Sequence, residues 1–479
     1  MPGVGKTTLA KLAYNDGRLW LEITDSLLIS MLDVRDCPNI NLRGCHPFLR
    51  ELNMTDMKGW RRLHIDYLDS FTALIKLTVA RIPELASIGE WQPLQLECLE
   101  ISDCPSMEEL PNKLHSLKSL KGLRICHCPR LVSFPETGLP PMLRILGSSS
   151  HFLERLKVQN CPSLVCFPDV LPSTLKQLVI ESCTSLKALP DARMQASSSS
   201  SGSGSTRSIS DLEILKIKGC PSLKGIPLGN FPSSLKHLEI WNCELLEPIS
   251  GQLLCNNAAL EYLQMWNYPN LRTLEGYLIA LDFFPLNGLP NDNLKELWIE
   301  NCGNLKSLPP QMQNLTSLQN LYVQNCPSLM SVPEGGLPPN VTSLGIEDCQ
   351  NIQTHLSDWG LHRLTSLKAF RISGACSDVV SFRENDCLLL PRNLTWLSVN
   401  ELQNLESLAF LGLQNLNSLK ELLISDCPEL RSFLPDKGLP AILSRLEIKK
   451  CPILIKRCLK ERGEYWTKIA HIPRIEIFD

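Results

Sequence analysis

Two kinds of stretch alternate along this chain. Leu, Ile, Val or Met recur at every second position over a few residues, as in LECLEI, LKELWI and LQNLYV. Turns rich in Pro, Gly and Asn separate these runs. Apolar residues at period two predict short β-strands with one face buried and the other in solvent. The fullest form of the unit is L-x-x-L-x-I-x-x-C-P-x-L-x-x-L-P, seen in LECLEISDCPSMEELP, LKELWIENCGNLKSLP and LQNLYVQNCPSLMSVP. One such unit cannot shelter its own apolar row. Stacked units can, and the stacking predicts a parallel sheet over a continuous core.

One position of the unit is cysteine thirteen times: Cys37, Cys104, Cys128, Cys161, Cys183, Cys220, Cys243, Cys302, Cys326, Cys349, Cys376, Cys427 and Cys451. Met57, Ile82, Tyr268 and Leu402 take the same place elsewhere. A position open to thiol, thioether, aliphatic and aromatic groups reads as a buried slot, not as half of a disulfide. With no secretory signal at the first residues, reduced thiols in a cytosolic or nuclear compartment are expected. These 17 positions recur about every 26 residues, within the roughly 20–29-residue range of leucine-rich repeats. The expected fold is an α/β solenoid, a leucine-rich-repeat horseshoe with a parallel β-sheet on the concave face and an irregular, proline-rich convex side. Prolines in FPETGLPPML and VPEGGLPPNV remove backbone donors and fix φ, which disfavours long helices there. Helical turns are expected only where LHSLKSLKGL or LQNLNSLKEL permits them.

The spacing stretches in places. ASSSSSGSGSTRS, residues 196–208, has too little apolar area to offset its ordering and is expected to be a mobile loop. After the last CP turn, KRCLKERGEYWTKIAHIPRIEIFD loses the repeated strand signal, so residues 456–479 are expected to cap the coil. Lys456, Arg457, Lys460 and Arg462 then belong to a solvated cap surface. Residues 30–455 are expected to form the repeat domain.

Charge narrows the partners. The net charge of −3 gives no bulk attraction for nucleic acid or an acidic membrane. No apolar run reaches the roughly 18 residues of an integral membrane segment.

The chain opens with GVGKTT. Gly3 and Gly5 would let backbone N–H groups curl around phosphates, Lys6 would neutralise them and Thr7 would help hold Mg²⁺. LAKLAYND would supply the following helix. The pattern nevertheless lacks its leading glycine and a preceding strand, so no cofactor is expected for this chain alone. Residues 1–29 are expected to be the remnant of a nucleotide-binding domain, with an incomplete phosphate loop and the helix after it. Asp33 and Asp36 follow an apolar run like a second nucleotide element, yet LDVRDCPNI also fits an ordinary repeat strand. Cys126-His127-Cys128 resembles a metal cluster, but only Cys128 fills the slot and no C-x-x-C partner stands nearby, so no metal site is expected. No nucleophile turn assembles Ser, His and Asp, and no enzymatic activity is expected.

A different signal lies on the predicted solvent face. Trp241 and Trp266 follow an inward residue, while Trp298 and Tyr322 precede one. Period two therefore points all four rings outward, where they can anchor a protein partner or pack across strands. Lys216, Lys218, Glu239, Glu300, Glu347, Glu447 and Lys449 share that face and form no uniform basic track.

GVGKTTLAKLAYND, the CP-rich repeats, the GLPPxL turns and GEYWTKIAHIPRIEI together resemble plant intracellular disease-resistance proteins of the nucleotide-binding leucine-rich-repeat class, in the coiled-coil-bearing subgroup. The resemblance implies defence signalling: recognition of a pathogen effector or a guarded, modified host protein by the repeats. It maps Gly3, Gly5, Lys6, Thr7 and Thr8 onto the later part of a loop that binds ADP or ATP with Mg²⁺ in a complete parent. There the repeats also contact their own nucleotide-binding domain. Joining that loop directly to repeats implies a truncated or fragmentary member. Expected location is cytoplasmic, with nuclear or peripheral membrane association as variants. Two alternatives remain open at this point: an ADP/ATP-binding immune switch, and a substrate-recognition subunit of a ubiquitin ligase.

Overall fold

The computed structural model describes residues 10–13, 30–37, 48–63, 71–89, 95–140, 153–168, 171–172, 174–189, 211–226, 232–246, 259–267, 293–308, 312–332, 336–354, 356–374, 390–408, 413–434 and 438–478. They fall into two compact units, residues 1–247 and 248–479.

In the first unit ten strands form a parallel ladder, each paired with its neighbour in sequence. They are β1 (Ala10–Ala13), β2 (Met31–Arg35), β3 (Glu51–Thr55), β4 (Lys76–Ala80), β5 (Cys98–Ser102), β6 (Gly122–Cys126), β7 (Arg155–Gln159), β8 (Gln177–Glu181), β9 (Ile214–Lys218) and β10 (His237–Trp241). From β2 onward the second and fourth residues are buried, as with Leu99 and Ile101 or Leu238 and Ile240, each fully inaccessible. First, third and fifth residues face solvent or the neighbouring side chains. Asp33 sits in the middle of β2 between buried Leu32 and Val34, and Arg35 donates to its carboxylate at 3.2 Å. The Leu-Asp-Val stretch is thus a repeat strand.

Ala10–Ala13, expected within a helix, is instead a strand pairing Ala10 with Leu32 and Leu12 with Val34. Ala, Lys and Leu favour helix locally, but that preference is weak beside tertiary pairing. The unpaired edge of β2 offers them a row of ready hydrogen-bond partners.

The second unit holds β11 (Tyr262–Trp266), β12 (Glu296–Glu300), β13 (Asn320–Gln324), β14 (Ser343–Glu347), β15 (Ala369–Ser373), β16 (Trp396–Asn400), β17 (Glu421–Ser425), β18 (Arg445–Lys449) and β19 (Arg474–Phe478), again all parallel. Single 3-10 turns lie between strands at Leu114–Ser116, Met312–Asn314, Leu356–Trp359, Leu361–Arg363 and Leu413–Asn415. The first and last match the two anticipated segments. The other three were missed: MQNLTSL repeats the same apolar spacing, and Trp359 anchors its turn by burial and by donating from Nε1 to the Thr354 carbonyl at 3.3 Å.

After each described strand from β2 to β18 the chain turns through a residue of positive φ. Examples are Asp56, Arg81, Asp103, His127, Asn160, Asn301, Glu401 and Lys450, with Gly219 and Gly374 in the same role. Asn, Asp and Gly dominate the column because they tolerate the left-handed region best. Their N–H groups extend the ladder, as Arg81 N donates to Ser102 O at 2.9 Å and Lys450 N to Phe478 O at 2.9 Å.

The next residue points inward. Eleven of the thirteen slot cysteines are buried and free, Cys37 is half-buried, and Met57 and Ile82 are fully inaccessible in the same place. Their thiols bond to the carbonyl two residues back, as Cys104 does to Ser102 at 3.3 Å. Cys376 and Tyr268 lie outside the described residues.

Helix α1 (Pro452–Cys458) starts on Pro at its first turn and buries Leu454, Ile455 and Cys458, and α2 (Trp466–Ile469) buries Ile469. Arg457 is drawn into this end: it donates to the Arg431 carbonyl and the Tyr465 hydroxyl, each at 2.8 Å. Lys456, Lys460 and Arg462 are exposed. RIEIF then adds a rung that the sequence pattern did not reveal, with Ile475 and Ile477 opposite Leu446 and Ile448. Residues 196–208 lie outside the described residues.

Candidate functional site

Trp298 and Tyr322 occupy the middle, outward positions of β12 and β13 and are register partners. Their ring centroids are 4.4 Å apart with planes inclined at 46°. Cross-strand packing has therefore joined them, yet Trp298 remains 40% exposed. The next register partner is Gly345 on β14. A Cβ there would come within 2.7 Å of Tyr322 Cδ1, so glycine lets the phenol ring lie across β14. The Tyr322 hydroxyl reaches the Ser343 hydroxyl and fixes the ring's far end.

Two carboxylates flank this aromatic shelf. Glu300 ends β12, and burial raises its pKa. Trp266 faces it across the β11–β12 ladder, while Trp298 stands two residues back on the same face of β12. Glu347 ends β14, and its pKa is also raised by burial, opposed by Arg371 at 3.5 Å. That guanidinium lies 5.2 Å from the centre of the Trp396 ring, so Arg371 bridges a carboxylate and an aromatic face.

In the first unit, Trp241 is covered by a cation: Lys218 Nζ lies 4.0 Å from its ring centre. Beside it Glu239 is buried and receives Lys216 at 2.9 Å, Lys218 at 2.8 Å and His237 at 2.7 Å. Burial by itself would raise the Glu239 pKa. Hydrogen bonds from His237 and Lys216 and the ion pair with Lys218 overcome that effect and hold the carboxyl well below its ordinary range. Glu239, expected as a solvated surface charge, is the hub of an internal network instead.

Of the four expected rings, the structure brings Trp298 and Tyr322 into contact, sets Trp266 opposite Glu300 and places Trp241 in the first unit under its lysine. Gly345 escaped the sequence pattern, and Glu300 was placed on the outward face only as one charge among several. A glycine at an outward strand position beside an aromatic was the available signal. Gly3, Gly5, Lys6, Thr7 and Thr8 lie outside the described residues. The segment after them, expected to supply the helix that follows a phosphate loop, is the strand Ala10–Ala13.

Cys126, His127 and Cys128 diverge. Cys126 Sγ accepts from Arg124 Nε at 3.3 Å, His127 is exposed with φ of 54°, and Cys128 is inward and bonds to the Cys126 carbonyl at 3.4 Å. His127 belongs to an open groove of about 520 Å³ that also meets Pro105, Pro129 and Pro162. Among the described residues no group of His, Cys, Asp and Glu is placed to hold a metal, and no helix is long and apolar enough to cross a membrane.

A strand, a left-handed turn, an inward slot and an irregular return, repeated along a parallel ladder, define a leucine-rich-repeat solenoid. Its repeats are similar to those of plant disease-resistance proteins. Residues 189–327 match the family of plant disease resistance protein RPS2-like leucine-rich repeats. The chain is 34% identical to the Arabidopsis thaliana disease resistance protein At3g14460 over 80% of its own length and 24% of that protein's. It is 23% identical to the Arabidopsis thaliana disease resistance protein RPS4B over 50% of this chain and 22% of that one. The chain thus spans about a quarter of the length of these relatives. Among solved structures, YopM from Yersinia enterocolitica WA-314 is similar at a TM-score of 0.44 and 19% identity, covering 94% of this chain and 91% of that one.

Proposed function

We propose that this chain is a protein-recognition module of a plant disease-resistance receptor, working by binding and not by turnover. The observation that carries the reading is the Trp298–Tyr322 pair, held on the solvent side of a ladder whose core residues all point away from it. Large, rigid aromatic groups that keep open area are the side chains that dominate protein interfaces. The partner class is a pathogen effector or a modified host protein met in the cytoplasm. In a longer parent, the repeats would also restrain a nucleotide-binding domain.

Co-expression of the full chain in leaf tissue with a panel of cloned pathogen effectors, followed by co-immunoprecipitation, tests this. A captured effector should be lost when Trp241, Trp266, Trp298 and Tyr322 are all changed to alanine, with the circular dichroism spectrum unchanged. An effector held equally well by that variant removes the outward rings from the mechanism.

A further inference from the structure

The solvent face of the second unit contains the same chemical arrangement twice, once complete and once lacking a partner. In the complete copy Arg371 lies 3.5 Å from Glu347 and 5.2 Å from the centre of the Trp396 ring. A guanidinium is thus shared between a carboxylate and an aromatic face. In the second copy Glu300 stands beside Trp298 on β12 and opposite Trp266 on β11, with Tyr322 stacked on Trp298. Among the described residues Glu300 makes no ion pair. Building on the recognition reading above, we propose that Trp298, Tyr322 and Glu300 form an acceptor for an arginine side chain carried by a basic segment of the partner protein.

Charge complementarity selects that occupant. A half-buried carboxylate beside aromatic rings is poorly hydrated, and its raised pKa reports that cost. An incoming cation relieves it and gains the ring faces as well. Arginine suits the site better than lysine, because its planar group stacks on a ring while its fork of donors meets the carboxylate. Gly345 shapes the shelf: with no side chain at that middle position, the Tyr322 ring lies across β14 beside Trp298, and a planar group stacks on the outer side of these rings. An acidic or purely apolar segment would leave Glu300 repelled or stripped of water.

The test uses the full chain and two synthetic peptides, acetyl-Gly-Arg-Gly-Arg-Gly-amide and its citrulline isostere, which keeps the shape and loses the charge. Isothermal titration at low salt should show saturable binding of the arginine peptide and at least tenfold weaker binding of the citrulline one. Glu300→Gln should weaken the arginine peptide at least tenfold while its melting temperature stays at or above that of the wild type. Absence of saturable arginine binding, or equal affinity for both peptides, overturns the proposal. If Trp298→Ala weakens both peptides alike and Glu300→Gln changes nothing, the aromatic surface stands and the arginine acceptor falls. If neither substitution matters, both readings fall.

Discussion

Arg81 donates two hydrogen bonds to the carboxylate of Asp56, at 2.8 and 2.9 Å, and both residues hold a left-handed backbone, with φ of 55° and 60°. They stand at the same point of successive turns. The column recurs in the second unit, where Asn325 donates to Asn301 at 2.6 Å and Lys450 meets Asp426 at 3.0 Å. Hydrogen bonding to Arg81 lowers the Asp56 pKa. Both side chains are well exposed, so the pair itself adds little to stability. The rung is held by the backbone, through Asp56 N to Ala80 O at 3.1 Å and its equivalents.

That column contains residues poorly suited to it, and Glu401, with φ of 54°, is one. An L-residue costs about 1–2 kcal/mol in this region, and glycine gives back about half of the gain through its greater freedom when unfolded. Glu401→Gly is expected to stabilise the second unit by about 0.5–1 kcal/mol, measured by urea unfolding. A loss of stability would show that the Glu401 side chain matters more than its backbone.

Glu239 links stability to pH. Its folded pKa lies below the ordinary value of 4.5, so its contribution is in place above that value and drains away as pH falls below it. Glu239→Gln should cost about 1–3 kcal/mol at pH 7, because Lys216, Lys218 and His237 then converge on a neutral amide in place of a carboxylate. Thermal melts from pH 7 down to pH 3 should show the gap between wild type and variant narrowing with acid. A constant gap would contradict the network.

Thiol reactivity should divide sharply. Cys166 is exposed, whereas Cys220 is fully inaccessible and burial pushes its thiol up to about 12. Ellman's reagent should label Cys166 at once in the native chain and Cys220 only after denaturation. Cys220→Ala should cost about 1–2 kcal/mol through the cavity it leaves, and peptide mapping after brief alkylation reads both residues directly.

Gly463 allows two backbone segments to touch. A Cβ there would lie 2.2 Å from the Arg457 carbonyl oxygen and 2.6 Å from Leu459 N, neither of which can rotate away. Gly463→Ala is expected to cost about 1–3 kcal/mol, seen as faster hydrogen exchange across β19 with β11–β13 unchanged.

Strands and slot were legible because period two and a fixed offset act within a few residues. Leu446 and Ile448 declare themselves by position alone. The fate of Ala10–Ala13 depended on whether an open sheet edge lay beside it, and β19 was obscured by the charged stretch before RIEIF. The shelf was half legible: parity placed Trp298 and Tyr322 outward, but the floor at Gly345 arises from side chains on different turns. Glu239 could not be recognised as a hub for the same reason, since Lys216 and Lys218 arrive from a strand more than twenty residues earlier.

Alternation of inward and outward residues has an evolutionary consequence. Leu297 and Ile299 carry the fold of β12, while Glu296, Trp298 and Glu300 are spectators to it. Mutation can rewrite the second set freely while selection holds the first, so the outward face of β12 can change its chemistry without the strand having to learn to fold again.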